Sequence, residues 1–367
     1  MKFSRQSTME IKGVAILLMF FHHCFMNRER WATVPFEQLA GAKDLSYFPI
    51  SFFPFSENSI VYAASFFKIC VGMFVFLTGY GMMAAYDAKK RKDGFSITSY
   101  IKQRYIKLMK GFLLIFVMVQ ILSIPTGRFS IIYGHGLKAI LYFFLDALGL
   151  GKLLHTPMFC LTWWYMSLAL MLILIFPLVS RGIEKYTWLF VIAAFLLPRA
   201  LELNIHLDLL RYMLAYTLGI IFYKKHLLVK IKKKLLSGGF INQALKFVLV
   251  LLGLMLLVKC RQNAWIGEPF YDFWDGVSPA YLIILSYTYI LEIKPLNKIL
   301  GLLGEHSMNM FLIHSFYRDI FFHEFIYSFH SIWCIYSVLL IISLASSFIL
   351  EWIKNKLMII THLCRRK

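Results

Sequence analysis

The chain reads as an all-α protein, a polytopic membrane helical bundle of about ten spanning helices plus one short non-spanning or re-entrant helix. Three observations carry this expectation. Apolar runs close to the ~17–25 residues needed to cross a hydrocarbon core recur from one end to the other. Hydrophobic residues make up 59% of the 367 positions and the mean hydropathy is +0.67, above what soluble domains reach. Lys and Arg gather in short clusters between the runs, which is how a membrane protein fixes its orientation. The same clustering disposes of a nucleic-acid partner, to which a net charge of +20 would otherwise point. The six cysteines form no CxxC pair and no zinc-ligand spacing, so neither a disulfide framework nor a metal site is expected.

Taken in order, the expected spans are Ile11–Phe25, Tyr62–Tyr86, Ile106–Ile124, Leu161–Val179, Trp188–Leu203, Leu209–Tyr223, Asn242–Val258, Pro279–Leu291, Met308–Phe322 and Ile332–Ile353. No cleavage pattern follows the first, so it is read as a retained helix. Lys89, Lys90, Arg91 and Lys92, followed by Lys102, Arg104, Lys107 and Lys110, make one strongly basic loop. Lys224, Lys225, Lys230, Lys232, Lys233 and Lys234 make a second, and Arg365, Arg366 and Lys367 close the chain. All three belong in the cytoplasm by the positive-inside rule, and so do both termini. The chain must then cross an even number of times between the two basic loops. Leu137–Leu150 is the shortest apolar stretch there and carries Asp146, so it is the one assigned as non-spanning or re-entrant. Asn27–Val61, with Trp31, Phe36, Phe48, Phe52, Phe53 and Phe55, is then external and long enough to fold over the outer mouth.

Ionisable groups inside spans are costly and point to function. The first helix concentrates Glu10, Lys12, His22 and His23. Lys12 and His23 are separated by about three full turns, so they share one face about 16 Å apart, with Ile16 and Met19 between them. Neutral imidazole suits proton transfer near pH 7, which makes His23 a candidate base. The alternative is a histidine bonded to a neighbouring helix and a lysine that snorkels to the interface. In the second span, Lys68 precedes a run holding Gly72, Gly79 and Gly81, which permit close helix approach or a kink. Arg104, Lys107 and Lys110 recur at helical spacing on the third span, where they would hold the phosphates of a nucleotide-bearing donor such as coenzyme A or act as an interfacial anchor. Trp163, Trp164 and Tyr165 fit an outer aromatic belt. His314, about two turns beyond Glu305-His306-Ser307, is a weaker functional candidate than His23, with a structural histidine the default reading.

Five short motifs, in order, resemble the acyltransferase-3 family of integral-membrane acyltransferases. Glu10-Ile11-Lys12 followed by ten residues and His23 is similar to its acidic-x-Arg-(ten residues)-His signature, with lysine for arginine. Phe74-Val75-Phe76-Leu77-Thr78-Gly79-Tyr80 resembles its Phe-rich run ending in Ser-Gly-Phe or Ser-Gly-Tyr. Arg104-Tyr105-Ile106-Lys107 resembles its Arg-x-x-Arg element, again with one lysine. Trp164-Tyr165-Met166-Ser167 through Phe176-Pro177 resembles its Trp-x-x-Ser helix ending in Phe-Pro. Ser307 through Phe311-Leu312-Ile313-His314 resembles its Ser-x-x-x-Tyr-Leu-x-His segment. Lysine keeps the charge at the two altered positions but cannot make the bidentate contacts of arginine.

The resemblance implies one stand-alone membrane acyltransferase domain over residues 1–367, in a bacterial plasma membrane. It implies transfer of an acyl group, usually acetyl, from cytoplasmic acetyl-CoA to a hydroxyl of a capsular or cell-surface glycan or its precursor. His23 would be the base or transient acyl carrier, with Glu10 and Lys12 positioning the donor or tuning the site. Arg104, Lys107 and Lys110 would bind acetyl-CoA. The rival from another class is a transporter or flippase for a lipid-linked glycan, whose expected mark is an internal repeat with discontinuous helices in matching positions. No such repeat is evident: the polar residues concentrate in the first three spans.

Overall fold

The first helix starts at a serine. Ser4 accepts a hydrogen bond from the Ser7 amide through its hydroxyl, 3.0 Å, satisfying one of the orphan donors of a helix N-terminus. The computed structural model describes residues 3–27, 57–91, 93–203, 207–263, 271–329 and 331–364. Most of the external aromatic segment expected between the first two spans therefore lies outside the described residues, as do Lys92 and Arg365–Lys367.

Helix α1 runs Arg5–Phe25, α2 Glu57–Phe67 and α3 Cys70–Lys90. The second expected span is thus two helices, not one continuous helix. The break falls on Lys68 and Ile69, where Lys68 N–H bonds to Ser65 O at 3.3 Å and Ile69 N–H to Phe66 O at 3.1 Å. These three-residue turns tighten the helix end in place of the four-residue ladder. Helix α4 is Ile97–Leu122, followed by the short α5, Arg128–Tyr133, and α6, Gly136–Ala147. At 1.5 Å per residue, α6 is about 18 Å long, too short to cross, which matches the parity assignment. Helix α7, Trp164–Tyr186, runs straight through Pro177 rather than ending at Phe176-Pro177. Next come α8, Trp188–Ala200, α9, Leu207–Lys225, and α10, Leu227–Leu235. The chain continues with α11, Phe240–Gln262, α12, Tyr271–Thr288, and α13, Lys294–Ser315. A π-helical turn at Phe316–Phe321, α14, His323–Tyr327, and α15, Ile332–Cys364, follow.

All ten expected spans fall on these helices, and no strand occurs among the described residues. Six helical segments are long and apolar enough to cross a membrane: Arg5–Phe25, Ser59–Lys90, Ile97–Leu122, Leu161–Tyr186, Phe240–Gln262 and Ile332–Leu357. The other four expected spans lie on α8, on α9, on α12 and on the end of α13 with its π turn, which are shorter or less apolar.

The described residues form two compact units. The first holds the chain through Tyr100 and Leu174–Glu305. Its helices meet at glycines. A side chain on Gly219 would enter the backbone of Phe76, and one on Gly79 the carbonyl of Tyr216, so α3 and α9 approach almost backbone to backbone. Gly13 and Gly304 likewise bring α1 against the first half of α13. One end of this unit is tied by Lys224, whose ammonium lies 3.6 Å from Asp87 and 3.1 Å from Glu184. Lys232 is no plain orientation charge: it is buried, donates to Tyr287 O at 2.9 Å and pairs with Glu292 at 2.5 Å.

The second unit holds Ile101–Ile173, His306–Phe329 and the chain from Trp333 onward. Its core gathers Phe112, Phe116, Trp163, Leu312 and Phe316. Trp163 is fully buried and its indole N–H donates to Leu312 O at 2.9 Å, so it belongs to the core and not to an aromatic belt. Asp146 fastens the chain after α6 by accepting the Tyr133 hydroxyl at 2.6 Å and the Phe159 amide at 2.7 Å. Ser167 donates to Gly149 O at 2.7 Å in the same corner.

Candidate active site

Lys12 and His23 are both half-buried on α1, while Ile16 and Met19 between them are buried, so an apolar stretch separates the two polar groups. Glu10 points elsewhere. It is buried, accepts the Gln6 side-chain amide at 3.1 Å, and its Cγ lies 4.0 Å from where a side chain on Gly301 of α13 would begin. Two residues along a helix turn the direction by about 200°, so Glu10 and Lys12 look to opposite sides of α1. The helix carries both, but the structure does not bring them onto one surface.

The histidine pair is set by the break after α2. Because the Lys68 amide bonds to Ser65 O, the carbonyl of Ala64 loses its usual helical partner. His22 Nδ1 takes that carbonyl at 2.7 Å. A carbonyl only accepts, so Nδ1 carries the proton and Nε2 is the lone-pair nitrogen of the neutral ring. The His23 ring lies 5.0 Å from that of His22, centroid to centroid. His22 is therefore a tautomer-fixed, buried partner that orients the end of α1 on which His23 sits. The sequence left open whether His22 shares the role of His23; the vacated carbonyl that assigns it a place becomes visible only in the fold.

The next carbonyl on α2 holds a second polar group. Arg261, fully buried at the end of α11, donates to Ser65 O at 3.2 Å and pairs with Asp275 Oδ1 of α12 at 2.8 Å. Arg211 of α9 takes the other oxygen, its Nε 2.5 Å from Asp275 Oδ2. Gln262 donates to Tyr62 O at 2.8 Å, and Arg199 pairs with Asp272 at 2.9 Å. Lys68 stands within electrostatic reach of Arg211, Arg261, Asp275 and Asp208. None of these ionic residues except Lys68 was singled out from sequence. Arg211 carried the signal, an arginine inside an expected span. Asp275 lay ahead of the expected start at Pro279 and so read as loop.

The basic face on α4 divides in two. Lys110 lies on the stripe of exposed Ile106, Leu113 and Val117, the position of an interfacial anchor. Arg104 is half-buried and lies one turn before Leu108, on the side that leads to buried Phe112 and Ile115. Lys107 is exposed between them. These three belong to the second unit, and Glu10, Lys12 and His23 to the first.

His314 is fully buried, with Nδ1 2.6 Å from Phe311 O and Nε2 3.3 Å from the Ser315 hydroxyl, which in turn accepts from Thr162 at 2.9 Å. Both ring nitrogens are engaged within the core, as expected of a structural histidine. A second closed network joins His306 to Ser347 at 2.8 Å, and Asn309 to Ser347, Glu351 and Lys354.

Residues 11–352 match a family model described as an acyltransferase domain, that of the acyltransferase-3 family, which covers nearly the whole chain. No curated protein and no solved structure matches it.

Proposed function

Because this chain belongs to the acyltransferase-3 family, we propose that it moves an acetyl group from cytoplasmic acetyl-CoA to a hydroxyl of a cell-surface or capsular polysaccharide, or of its precursor. The family supplies acyl transfer as the chemistry. The observation that carries the rest is the histidine pair at the end of α1, with one ring held in a fixed tautomer by Ala64 O. In this reading the protein works in a bacterial plasma membrane with both termini in the cytoplasm, the orientation its basic loops favour.

Arg104 and Lys107 hold phosphates of the donor at the cytoplasmic side, and Lys110 anchors α4 at the interface. Lys12 marks the cytoplasmic edge of the face that ends at His23, about 16 Å along α1. The acetyl group has to travel inward along that distance to meet an acceptor on the outer side. There His23 takes the proton from the acceptor hydroxyl as its oxygen attacks the thioester carbonyl, the C–S bond breaks, and the coenzyme A sulfur leaves with a proton. A variant of the same chemistry passes the acetyl group through His23 itself. Glu10 acts from the opposite side of the helix by holding α1 against α13. Mass spectrometry of the surface glycan from cells carrying the wild type or His23→Ala tests this reading. Acetyl ester should disappear with the variant at unchanged membrane abundance; ester retained at the wild-type level contradicts it.

A further inference from the structure

Helix α10 carries lysines on two opposite faces. Leu228, Ile231, Lys232 and Leu235 fall at i, i+3, i+4 and i+7 and form the face packed on the rest of the first unit. Leu228 and Lys232 are buried there, with Lys232 bonded to Tyr287 O and Glu292. Lys230, Lys233 and Lys234, at i, i+3 and i+4, lie on the other face and are exposed. Among the described residues, no hydrogen bond or ion pair reaches these three ammonium groups. The chain supplies no local counter-charge either, since no Asp or Glu occurs between Asp208 and Glu268.

A built corner fixes this face against α11. Lys246 donates to Lys234 O at 2.9 Å, to Ser237 O at 2.8 Å and to Ser237 Oγ at 3.0 Å. Gln243 donates to Gly238 O at 2.8 Å, and Gly238 makes the turn at φ +89°. Just beyond it, Phe240 and Ile241 are 88% and 83% exposed. Ile241, Leu245, Leu249, Leu252 and Leu256 then form one exposed apolar stripe along α11, the least buried of the six membrane-length segments. In a bilayer such a stripe faces acyl chains, and the headgroups of those lipids lie at its end, beside the lysines. A lysine face at that depth attracts anionic headgroups. We infer that the α10–α11 corner seats an anionic glycerophospholipid. Its headgroup phosphate rests on Lys230, Lys233 and Lys234, and an acyl chain follows the α11 stripe. This seat does not depend on the acyl-transfer reading.

The test is native mass spectrometry of the purified full-length chain in detergent with equal amounts of phosphatidylglycerol and phosphatidylcholine. The wild type should retain phosphatidylglycerol over phosphatidylcholine by about fivefold or more, the scale of one lysine near a charged membrane surface. The triple variant Lys230→Gln, Lys233→Gln, Lys234→Gln should lose that preference while eluting normally on size exclusion. The corresponding triple Lys→Arg variant should keep it. Removing three exposed lysines elsewhere, by Lys185→Gln, Lys298→Gln and Lys356→Gln, should leave it intact. Glycerophosphoglycerol, the headgroup without its chains, should not displace the lipid. Equal retention of the two lipids by the wild type overturns the inference, as does an equal loss in the control variant. Displacement of phosphatidylglycerol by glycerophosphoglycerol or by acetyl-CoA would make the face a seat for soluble phosphates and equally overturn it. Recovery of the wild type as a dimer without bound lipid would assign the stripe to a second copy and also overturn it.

Discussion

At the scale of single residues, the account turns on which polar groups touch something that explains them. Asp146, Ser167, His314 and Lys232 are each consumed by hydrogen bonds or an ion pair that hold the fold. His23, Lys12, Lys68 and Arg104 are half-buried. The division on α4 gives a direct expectation. Arg104→Gln should raise KM for acetyl-CoA by about tenfold, the loss of one hydrogen bond to a charged group, whereas Lys110→Gln should change it less than about threefold. Steady-state kinetics on both variants check it. His22→Ala should lower kcat by about tenfold or more with KM for acetyl-CoA little changed, because it frees the end of α1 without touching the donor. The sequence made Glu10, Lys12 and His23 visible because ionisable residues stand out against an apolar helix. It could not show that Glu10 faces away from the other two in use, nor that Ala64 presents an unbonded carbonyl to His22.

At the scale of elements, the glycines and the short helix carry the architecture. Gly219→Val would drive a branched side chain into the backbone of Phe76, which no rotamer change relieves. Loss of folded protein on size-exclusion chromatography is expected, while Gly81→Val, where open space surrounds the position, should assemble normally. Close helix approach was thus legible at Gly72 and Gly79, but not which glycine of the run lacked a neighbour. Outside the spanning helices, burial pushes the Asp146 carboxyl up to about 6 against an ordinary value of 3.8, opposed by the Tyr133 and Phe159 hydrogen bonds. A carboxyl with a raised folded-state value contributes stability that is full below pH ~4 and lost as pH rises through ~6. Asn has no such titration. The melting temperature of the wild type minus that of Asp146→Asn should therefore fall between pH 4 and 7, measured by intrinsic fluorescence in detergent; a difference independent of pH contradicts the assignment.

At the scale of the whole molecule, composition and basic loops were enough to read an all-α membrane bundle, and every expected span lies on a helix. What they could not reveal was the break at Lys68. Lys68 stood out there as a charge, but with Phe67, Ile69 and Cys70 all apolar a single lysine does not distinguish a turn from a continuous helix. The buried Arg211–Asp275–Arg261 cluster was hidden for a related reason: its members come from three helices, and Asp275 and Arg261 lie just outside their expected spans, where charge reads as loop. The family match over residues 11–352 gives this bundle its chemistry, and the proposed function places that chemistry at the histidine pair.

The most direct test is a reconstitution. Purified wild type and His23→Ala, in vesicles with radiolabelled acetyl-CoA on the side of the basic loops, are given a soluble glycan acceptor on the other side. The account expects label on the glycan and release of coenzyme A with the wild type, and neither above background with the variant. Movement of a lipid-linked glycan across the vesicle without any consumption of acetyl-CoA, or equal labelling by both proteins, would contradict it.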